Sequence, residues 1–329
     1  MEALQSLEIC AGAGGQALGI ERAGFEHVAA VEIESVACET LSLNRPKWNV
    51  LNRDVRGLSG SDYRGVDLFA GGVPCPPFSV AGRQLGENDE RDLFPVALQI
   101  VEDAKPRAVI LENVPGLATA RFSDYREKVY ARLSRLGYTV FWQPLNACNF
   151  GVPQLRPRFV LVALRGTAAK RFVWPNPIGS PPTVGEALHD LMAARGWKGA
   201  SAWVERANAI GPTLVGGSKL HGGPDLGPSR AKAAWSLLGV NGGGIADAAP
   251  DSDFPIDGVP KLTVRMAARI QGFPDSWQIS GRKTAAYRQI GNAFPPPVAE
   301  AVGRSVRAAI VGSTIRAEKA SERRLLVGY

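Results

Sequence analysis

Short apolar runs alternate with helix-like stretches along the first half of the chain. Six runs bounded by turn-forming residues predict buried strands. Residues 37–44 and 93–104 are predicted helices, since the second segment repeats apolar residues at helical spacing. This alternation predicts an α/β fold with a doubly wound, mostly parallel sheet, in which ligands bind at the carboxyl ends of the strands. The predicted strands are SLEICA, HVAAVEI, VDLFAGG, RAVILEN, YTVFWQPLNA and RFVLVAL.

The pattern weakens between residues 166 and 260, which are rich in Gly and Pro. Apart from AKAAWSLLGV, this stretch lacks clear periodicity and predicts a smaller, irregular domain with long loops. Regular patterns return at KLTVRMAARIQGFP and at a last helix, VAEAVGRSVRAAIV. We therefore predict a large domain from residues 1–165 plus 285–311, a smaller domain with its hinge at 166–284, and a polar tail at 312–329.

Composition narrows the class of protein. Hydrophobic residues make up 45% of the 329 residues, which is enough for a sizeable core. The sequence has no apolar run long enough to suggest a membrane span, and its N-terminus lacks a signal-peptide pattern. Its four cysteines, Cys10, Cys38, Cys75 and Cys148, have neither zinc-site nor disulfide-framework spacing. We expect a cytoplasmic protein without a metal.

The net charge of +7 is concentrated near the C-terminal end. Residues 261–311 hold 8 basic and 2 acidic side chains. A basic stretch of this kind favours a polyanionic partner. Charge alone favours an ordinary solvated surface over a binding surface.

A glycine turn follows the first predicted strand. Gly12, Gly14 and Ala17 fit the pattern G-x-G-x-x-G/A, in which glycine allows a tight turn and close approach of a ligand. Glu32 ends the next strand, where a carboxylate can accept hydrogen bonds from ribose hydroxyls. The pattern predicts a cofactor that contains a nucleoside, and it leaves NAD and S-adenosylmethionine both open.

Chemically active side chains follow the next strands. Cys75 lies past the predicted strand VDLFAGG and between prolines, which fix the backbone around the thiol. Glu112 lies at the end of the predicted strand RAVILEN and is a candidate acid beside this nucleophile. Arg156 and Arg158, two residues apart, are expected on one face of a strand, where arginine pairs bind phosphates or orient carboxylates.

Together these segments resemble the DNA cytosine-5 methyltransferases of the bacterial modification type. The match follows the family's order over nearly the whole chain, and it is weakest at about 166–260, where the family keeps its variable target-recognition region. Pro76 stands where many members have Gln, and Met266 where the family usually has Glu, which leaves that segment without the carboxylate of one ion pair. The resembling segments are EICAGAGG, AAVEIESVACETLSLNRP, NRDV, GGVPCPPFSVAGRQLGENDERDLF, LENVPGL, LNACNFGVPQLRPRFVLVAL, LTVRMAARIQGFPDSW and YRQIGNAFPPPVAEAVG.

The resemblance implies a Rossmann-like class I methyltransferase fold that binds S-adenosylmethionine and releases S-adenosylhomocysteine. The large domain would be catalytic, and the smaller one would recognise the target. The implied cofactor-binding residues are Cys10, Ala11, Gly12, Ala13, Gly14, Gly15, Glu32, Ile33, Asp54, Val55, Pro74, Leu93, Asn292 and Ala293.

The resemblance also implies a covalent mechanism. The Cys75 thiolate would add to C6 of a cytosine lifted out of the duplex, which activates C5 as a nucleophile. Glu112 would face N3 and the 4-amino group of the base, and Arg156 and Arg158 complete the implied catalytic set. Residues 80–91 resemble the family's lid over the flipped nucleotide.

Further residues are implied to contact DNA: Ser79, Arg83, Thr213, Lys219, His221, Arg230 and Lys232. The implied partner is double-stranded DNA, and a single base-flipping site needs only a monomer. Whether a cognate restriction endonuclease acts on the same site is open, as are the recognised sequence and the modified cytosine.

Three alternatives stand beside this hypothesis. A related enzyme acting on tRNA shares most of the catalytic motifs. A NAD-type oxidoreductase accounts for the glycine turn and Glu32 but leaves Cys75, Glu112 and the arginines without a role. A DNA-binding protein without catalysis leaves the thiol and the acid unexplained.

Overall fold

The computed structural model describes residues 3–74, 92–217, 223 and 225–312. They divide into two compact units. The first takes residues 3–74, 92–145, 157–176 and 298–312, and the second takes residues 146–156, 177–217, 223 and 225–297. The domain division expected from the sequence remains a prediction.

The strands are numbered along the chain: β1 (Leu4–Ile9), β2 (Phe25–Glu32), β3 (Val50–Asn52), β4 (Leu68–Gly72), β5 (Ala108–Asn113), β6 (Tyr138–Asn146), β7 (Gln154–Leu155), β8 (Pro157–Arg165) and β9 (Gly211–Pro212). Within the described residues, seven of them form one sheet in the order β3-β2-β1-β4-β5-β8-β6. Strands β3, β2, β1, β4 and β5 pair in parallel, whereas β8 runs antiparallel to β5. The predicted doubly wound, mostly parallel sheet is confirmed.

The helices are α1 (Gly15–Arg22), α2 (Ser35–Asn44), α3 (Phe94–Ala104), α4 (Ser123–Arg135), α5 (Gly166–Arg171), α6 (Val184–Ala193), α7 (Ala200–Arg206), α8 (Ser229–Leu237), α9 (Val264–Ile270), α10 (Lys283–Asn292) and α11 (Pro296–Val311). None of these described helices has the length and hydrophobicity needed to cross a membrane.

The sheet of the first unit is covered on both faces. Leu7 and Ile9 of β1 pack in one core with α3 and α4, which bury residues such as Val101 and Leu133. On the other face, α11 crosses α1 closely, because a Cβ on Gly303 would lie 2.8 Å from the Cβ of Ala23. The strand order reverses between β1 and β4, and such a switch point is where open α/β sheets bind ligands.

The second unit contains more helix than its sequence pattern indicated. Helix α6 begins with a capping box, in which Thr183 accepts from the amide of Glu186 and the Glu186 carboxylate accepts from the amide of Thr183. Gly185 lets α6 and α7 approach, since a Cβ there would lie 2.5 Å from the carbonyl oxygen of Val204. The short strands β7 and β9 pair in parallel.

Met266 has a local role of its own at the start of α9. The Thr263 hydroxyl accepts from the Met266 amide at 3.2 Å, and the Thr263 amide donates to the Met266 sulfur at 3.4 Å. The thioether thus takes the position that a glutamate occupies in an ordinary capping box. Arg265 keeps a carboxylate partner, because its guanidinium lies 3.8 Å from Asp275. The segment therefore retains both a capped helix and an ion pair.

Most elements expected from the sequence are present at or near the predicted residues. The six predicted strands correspond to β1, β2, β4, β5, β6 and β8, and the two predicted helices of the first half to α2 and α3. Helices α4, α5, α6, α7 and α10 and the short strands β3 and β9 were not anticipated. The polar tail expected after residue 312 lies outside the described residues.

A glutamate is buried in the sheet of the first unit. Glu8 of β1 is fully buried, and neither carboxyl oxygen forms a hydrogen bond of good geometry with another described atom. Burial raises the pKa of Glu8 well above its usual range, and the backbone amide of Ala17 offsets only part of this effect. Glu8 is therefore expected to carry a proton in the folded protein at pH values where the unfolded chain has lost it.

We predict that Glu8→Gln becomes increasingly stable relative to the native protein as the pH rises. The unfolded glutamate ionises near pH 4.3, whereas the folded one keeps its proton, so ionisation favours the unfolded native chain. The difference in unfolding free energy should widen by up to about 1.4 kcal/mol per pH unit above about pH 4.3 and stay constant below about pH 3. Urea unfolding at several pH values measures it.

The matched control is Glu39→Gln, which changes an exposed glutamate of α2 in the same unit. Its unfolding free energy should follow that of the native protein at every pH. Parallel curves for Glu8→Gln and the native protein would show that Glu8 ionises alike in both states.

Candidate active site

The glycine turn between β1 and α1 has an unusual backbone. Gly12 and Gly14 have φ values of 52° and 82°, and Cys10 has a φ of 52°, which is strained for a residue other than glycine. The Gly14 amide donates to the Ala11 carbonyl at 2.9 Å, which closes the turn before α1 begins. A Cβ on Gly12 would meet no described atom within 4 Å. The turn thus leaves open space beside the start of α1, where backbone amides are available to a ligand.

Glu32 is held against this turn. One carboxylate oxygen accepts from the Gly12 amide and the other from the Glu34 amide, both at 2.8 Å. The carboxylate therefore joins the end of β2 to the glycine turn at a fixed position. Each oxygen retains further acceptor capacity, as binding of two ribose hydroxyls requires. Burial raises the pKa of the Cys10 thiol, so this neighbour stays neutral.

Three of the implied cofactor-binding residues, Ile33, Asp54 and Val55, follow β2 and β3. Ile33 is 59% exposed, which is unusual for a large apolar side chain, whereas Val55 is buried. Asp54 accepts from the Arg56 amide at 2.9 Å, and this hydrogen bond helps to hold the pKa of Asp54 below its usual value. An exposed apolar side chain next to an ionised carboxylate suits the face and the amino edge of a purine.

The chain on either side of residues 75–91 is fixed at the same sheet edge. The Leu93 amide donates to the Pro74 carbonyl at 3.5 Å, so these two predicted cofactor contacts are neighbours. Asn113, at the end of β5, donates from its side chain to the Val73 carbonyl at 2.9 Å. Asp92, which the sequence analysis did not single out, accepts from the Phe94 amide and the Tyr125 hydroxyl. These bonds anchor both ends of the segment that carries Cys75.

Glu112 and Arg158 form a buried ion pair. The Arg158 Nε lies 2.6 Å from the Glu112 Oε1, and the two side chains are 11% and 10% exposed. Burial lowers the pKa of Arg158, and the Glu112 carboxylate opposes that effect. A Cβ on Gly72 would lie 3.5 Å from the Glu112 Oε2 and 3.9 Å from the Cys10 carbonyl oxygen. The carboxylate is thus close to the glycine turn.

Arg156 does not share a strand face with Arg158, and that expectation is wrong. Arg156 precedes β8, belongs to the second unit and is fully buried. Its guanidinium donates to the carbonyls of Leu214, Gly291 and Ala293 at 2.8, 2.7 and 3.0 Å. Pro157 separates the two arginines along the chain. The Arg156 side chain binds carbonyls of the second unit, whereas the Arg158 side chain pairs with Glu112 of the first unit.

The remaining described residues of the predicted site lie in the second unit. The Thr213 hydroxyl donates to the Leu155 carbonyl at 2.5 Å. Asn292 is exposed and donates to the Gly217 carbonyl at 3.2 Å, while Ala293 is buried. On α8, Arg230 is exposed and Lys232 pairs with Asp225 at 2.7 Å.

Five predicted site residues lie outside the described residues: Cys75, Ser79, Arg83, Lys219 and His221. The proposed lid at residues 80–91 lies there too. In the first unit, the structure brings the glycine turn, Glu32, Ile33, Asp54 and the Glu112–Arg158 pair to the carboxyl edge of the sheet. This arrangement can bind a nucleoside and present a fixed carboxylate beside it.

Comparisons with known proteins agree on the family. A family model described as C-5 cytosine-specific DNA methylase matches residues 4–221 and 241–308. The chain is 57% identical over 314 residues to the Type II methyltransferase M.NaeI of Lentzea aerocolonigenes, covering 94% of this chain and 76% of the relative. It is 52% identical over 309 residues to M.NgoMIV of Neisseria gonorrhoeae, covering 92% and 96%.

Solved structures share the fold. A putative DNA modification methyltransferase encoded within an Escherichia coli prophage has a TM-score of 0.64 at 22% identity and covers 94% of this chain and 100% of its own. A mutant of Spodoptera frugiperda DNMT2 has a TM-score of 0.65 at 19% identity, covering 93% and 100%. From the family match and these close relatives, the chain belongs to the C-5 cytosine-specific DNA methylases and is a DNA cytosine-5 methyltransferase.

Proposed function

We propose that this enzyme transfers the methyl group of S-adenosylmethionine to C5 of a cytosine flipped out of duplex DNA, through a transient bond between Cys75 and C6. One observation carries the proposal. The buried Glu112–Arg158 pair and the carbonyl of the glycine turn lie on either side of Gly72, so an acid and a nucleoside site are neighbours. Transfer between a cofactor and a base needs this proximity.

The residues at the sheet edge fit S-adenosylmethionine, whose sulfonium supplies an electrophilic methyl group. Open space beside Gly12 admits a ligand to the backbone of the turn. Glu32 would accept the ribose hydroxyls, Ile33 would cover one adenine face and Asp54 would accept from the adenine amino group. Asn292 and Ala293 are proposed to contact the methionine part on the strength of the family resemblance.

The proposed nucleophile is Cys75. Its thiolate would form a bond to C6 while the base takes a proton at N3, and the resulting enamine-like C5 would take the methyl group. Loss of the C5 proton to a base, return of the N3 proton to Glu112 and breakage of the bond between sulfur and C6 would then release 5-methylcytosine and the thiolate. The described residues on either side of the Cys75 segment are held by the hydrogen bonds Leu93–Pro74 and Asn113–Val73, and Asn113 directly follows Glu112, which supports placing the nucleophile near this acid.

Glu112 would act at N3 and the 4-amino group of the base. Its carboxyl is oriented by Arg158, which contacts one oxygen and lies on the neighbouring antiparallel strand. The Glu112 carboxyl would be protonated when the cytosine binds and would give that proton to N3 as the thiolate adds, because the Arg158 guanidinium has no proton that it can release at neutral pH. Arg158 is in this view a positioning residue for Glu112.

The second unit is proposed to read DNA. Thr213, Arg230 and Lys232 are proposed contacts on described elements, and Ser79, Arg83, Lys219 and His221 are proposed from the resemblance. We infer a monomer in the bacterial cytoplasm, with duplex DNA as its substrate and a cognate restriction endonuclease acting on the same site. The Type II names of the two close relatives support that pairing.

The comparisons with known proteins disfavour the tRNA enzyme and the NAD-type oxidoreductase. Identity of 57% and 52% to Type II methyltransferases supports duplex DNA over tRNA, while the likeness to DNMT2 extends to the fold alone. Membership of the methylase family excludes the NAD-type oxidoreductase.

Methyl transfer and its nucleophile are tested together. Tritium from labelled S-adenosylmethionine should appear in duplex DNA and be absent from tRNA. Duplex DNA that contains 5-fluorocytosine should trap a covalent adduct, because C5 of the methylated ring then has no proton to lose. Denaturing electrophoresis and mass spectrometry detect the adduct.

Cys75→Ser should form no adduct, whereas Cys148→Ser, which changes a buried thiol of the second unit, should form it as the native enzyme does. Label in tRNA alone supports the alternative substrate. An adduct with Cys75→Ser would remove Cys75 from its proposed role.

The buried ion pair between Glu112 and Arg158 gives a prediction about stability and turnover. Arg158→Met leaves the Glu112 carboxylate buried without its guanidinium and should lower the unfolding free energy by about 3 kcal/mol at pH 8. Glu112→Gln combined with Arg158→Met should recover much of that stability without turnover. Glu112→Gln alone should bind S-adenosylhomocysteine normally and methylate at least about 100-fold more slowly.

The control is Arg304→Met, which breaks an exposed ion pair with Glu300 on α11. A surface pair of this kind contributes less than about 1 kcal/mol. Equal losses of stability in Arg158→Met and Arg304→Met, or native turnover in Glu112→Gln, would contradict the proposed roles.

The similarity to the two relatives also predicts the recognised DNA sequence. The matches to M.NaeI and M.NgoMIV cover more than nine-tenths of this chain and therefore include most of the second unit. We expect all three enzymes to methylate the same cytosine in the same sequence. Bisulfite sequencing of one random-sequence duplex library treated separately with each enzyme gives the three sites, and different sites would contradict this expectation.

A further inference from the structure

Three polar side chains of the second unit are fully buried and have no role in the steps above. Gln154, Arg156 and Gln271 are each 0% exposed. Burying an amide or a guanidinium is costly unless its hydrogen bonds are made. Their partners therefore show which parts of the chain they hold in place.

The first part held is the recognition loop, defined here as residues 213–217. The Leu214 carbonyl accepts from Arg156 at 2.8 Å, and the Leu214 amide donates to the Gln154 side-chain oxygen at 2.8 Å. Both backbone polar groups of Leu214 are thus occupied by one short stretch of chain. These two hydrogen bonds therefore fix the position of the loop backbone at Leu214.

The second part held is the segment of residues 291–293, at the end of α10. Arg156 donates to the carbonyls of Gly291 and Ala293 at 2.7 and 3.0 Å, and Gln271 also donates to Ala293. Gln154 donates to the Gln271 side-chain oxygen at 2.8 Å, which joins the two glutamines. The hydrogen-bond network is thus continuous from Leu214 to Ala293.

The two parts also touch directly. A Cβ on Gly291 would lie 2.5 Å from the Gly216 Cα, and a Cβ on Gly216 would lie 2.5 Å from the Asn292 Oδ1. Asn292 in turn donates to the Gly217 carbonyl at 3.2 Å. Backbone packed against backbone leaves no space to absorb a displacement, so a shift of the loop must move the segment.

We propose that Gln154, Arg156 and Gln271 form a positioning clamp that couples the recognition loop to residues 291–293, so that reading the DNA site tightens cofactor binding. The inference rests on the proposed function, in which the loop contacts DNA and Asn292 and Ala293 contact the cofactor. Arg156 is then a positioning residue that touches neither substrate. A contiguous hydrogen-bond network between two binding segments is a physical route for such coupling.

The test measures the dissociation constant of S-adenosylhomocysteine by calorimetry in three conditions. These are enzyme alone, enzyme with a duplex that contains its methylation site, and enzyme with a duplex that lacks it. The ratio of the last two constants is the coupling factor. Arg156→Lys keeps the charge but loses the planar fork that holds three carbonyls. The factor should be about fivefold or more in the native enzyme and close to one in the variant.

Two further variants keep the test decisive. Gln271→Met matches the glutamine in size and removes its bonds to Ala293 and Gln154, so it should also abolish the coupling factor, and it decides the question if Arg156→Lys fails to fold. Arg195→Lys, an exposed arginine of the same unit paired with Asp251, should keep the native factor. Thermal unfolding checks that each variant is folded.

A folded Arg156→Lys or Gln271→Met with a native coupling factor would overturn the clamp. A native enzyme that methylates DNA but shows no coupling would overturn it as well, while the proposed function would stand. A native enzyme that methylates no DNA would instead remove the proposed function on which the inference rests.

Discussion

The register of three neighbouring parallel strands is the constraint on which the site of the first unit depends. Ile9 of β1 pairs with Gly71 of β4, and Gly72 pairs with Glu112 of β5. The glycine turn, the segment leading to Cys75 and the acidic side chain therefore leave the sheet at one edge. Side chains alternate between faces along a strand, so a slip of one residue would carry Glu112 to the opposite face. Burial of both faces makes such a slip expensive.

Two arginines separated by one proline show how differently a buried positive charge can be accommodated. Arg158 is balanced by a carboxylate and serves a proposed reacting group. Arg156 is surrounded by backbone carbonyls of the recognition loop and of the C-terminal end of α10, which need donors when they are buried. The first arrangement supports chemistry through charge, while the second supports geometry through the rigid fork of the guanidinium.

The elements that the sequence predicted are those whose signal is local. Continuous apolar runs gave β1, β2, β4 and β5, and the spacing of glycines gave the turn before α1. Helices α6 and α7 were missed because they are short and start at a Thr183 cap and at Gly199, within a stretch rich in Gly and Pro. The clamp was beyond prediction because Arg156 binds Ala293, 137 residues later, and no local pattern encodes that contact. Gln154 lies in the segment LNACNFGVPQLRPRFVLVAL, but its hydrogen-bond partners Leu214 and Gln271 are known only from the fold.

The place of α11 in the first unit has a consequence for synthesis on the ribosome. This helix, Pro296–Val311, buries residues such as Val302 and Val306, and its Gly303 rests on α1. Domains assemble as the chain emerges, N-terminal parts first. The apolar surface that α1 presents to α11 stays uncovered until nearly the whole polypeptide has been translated. Premature termination anywhere before Pro296 would thus yield a product with an exposed apolar face, a natural target for chaperones and proteases rather than a partly active enzyme.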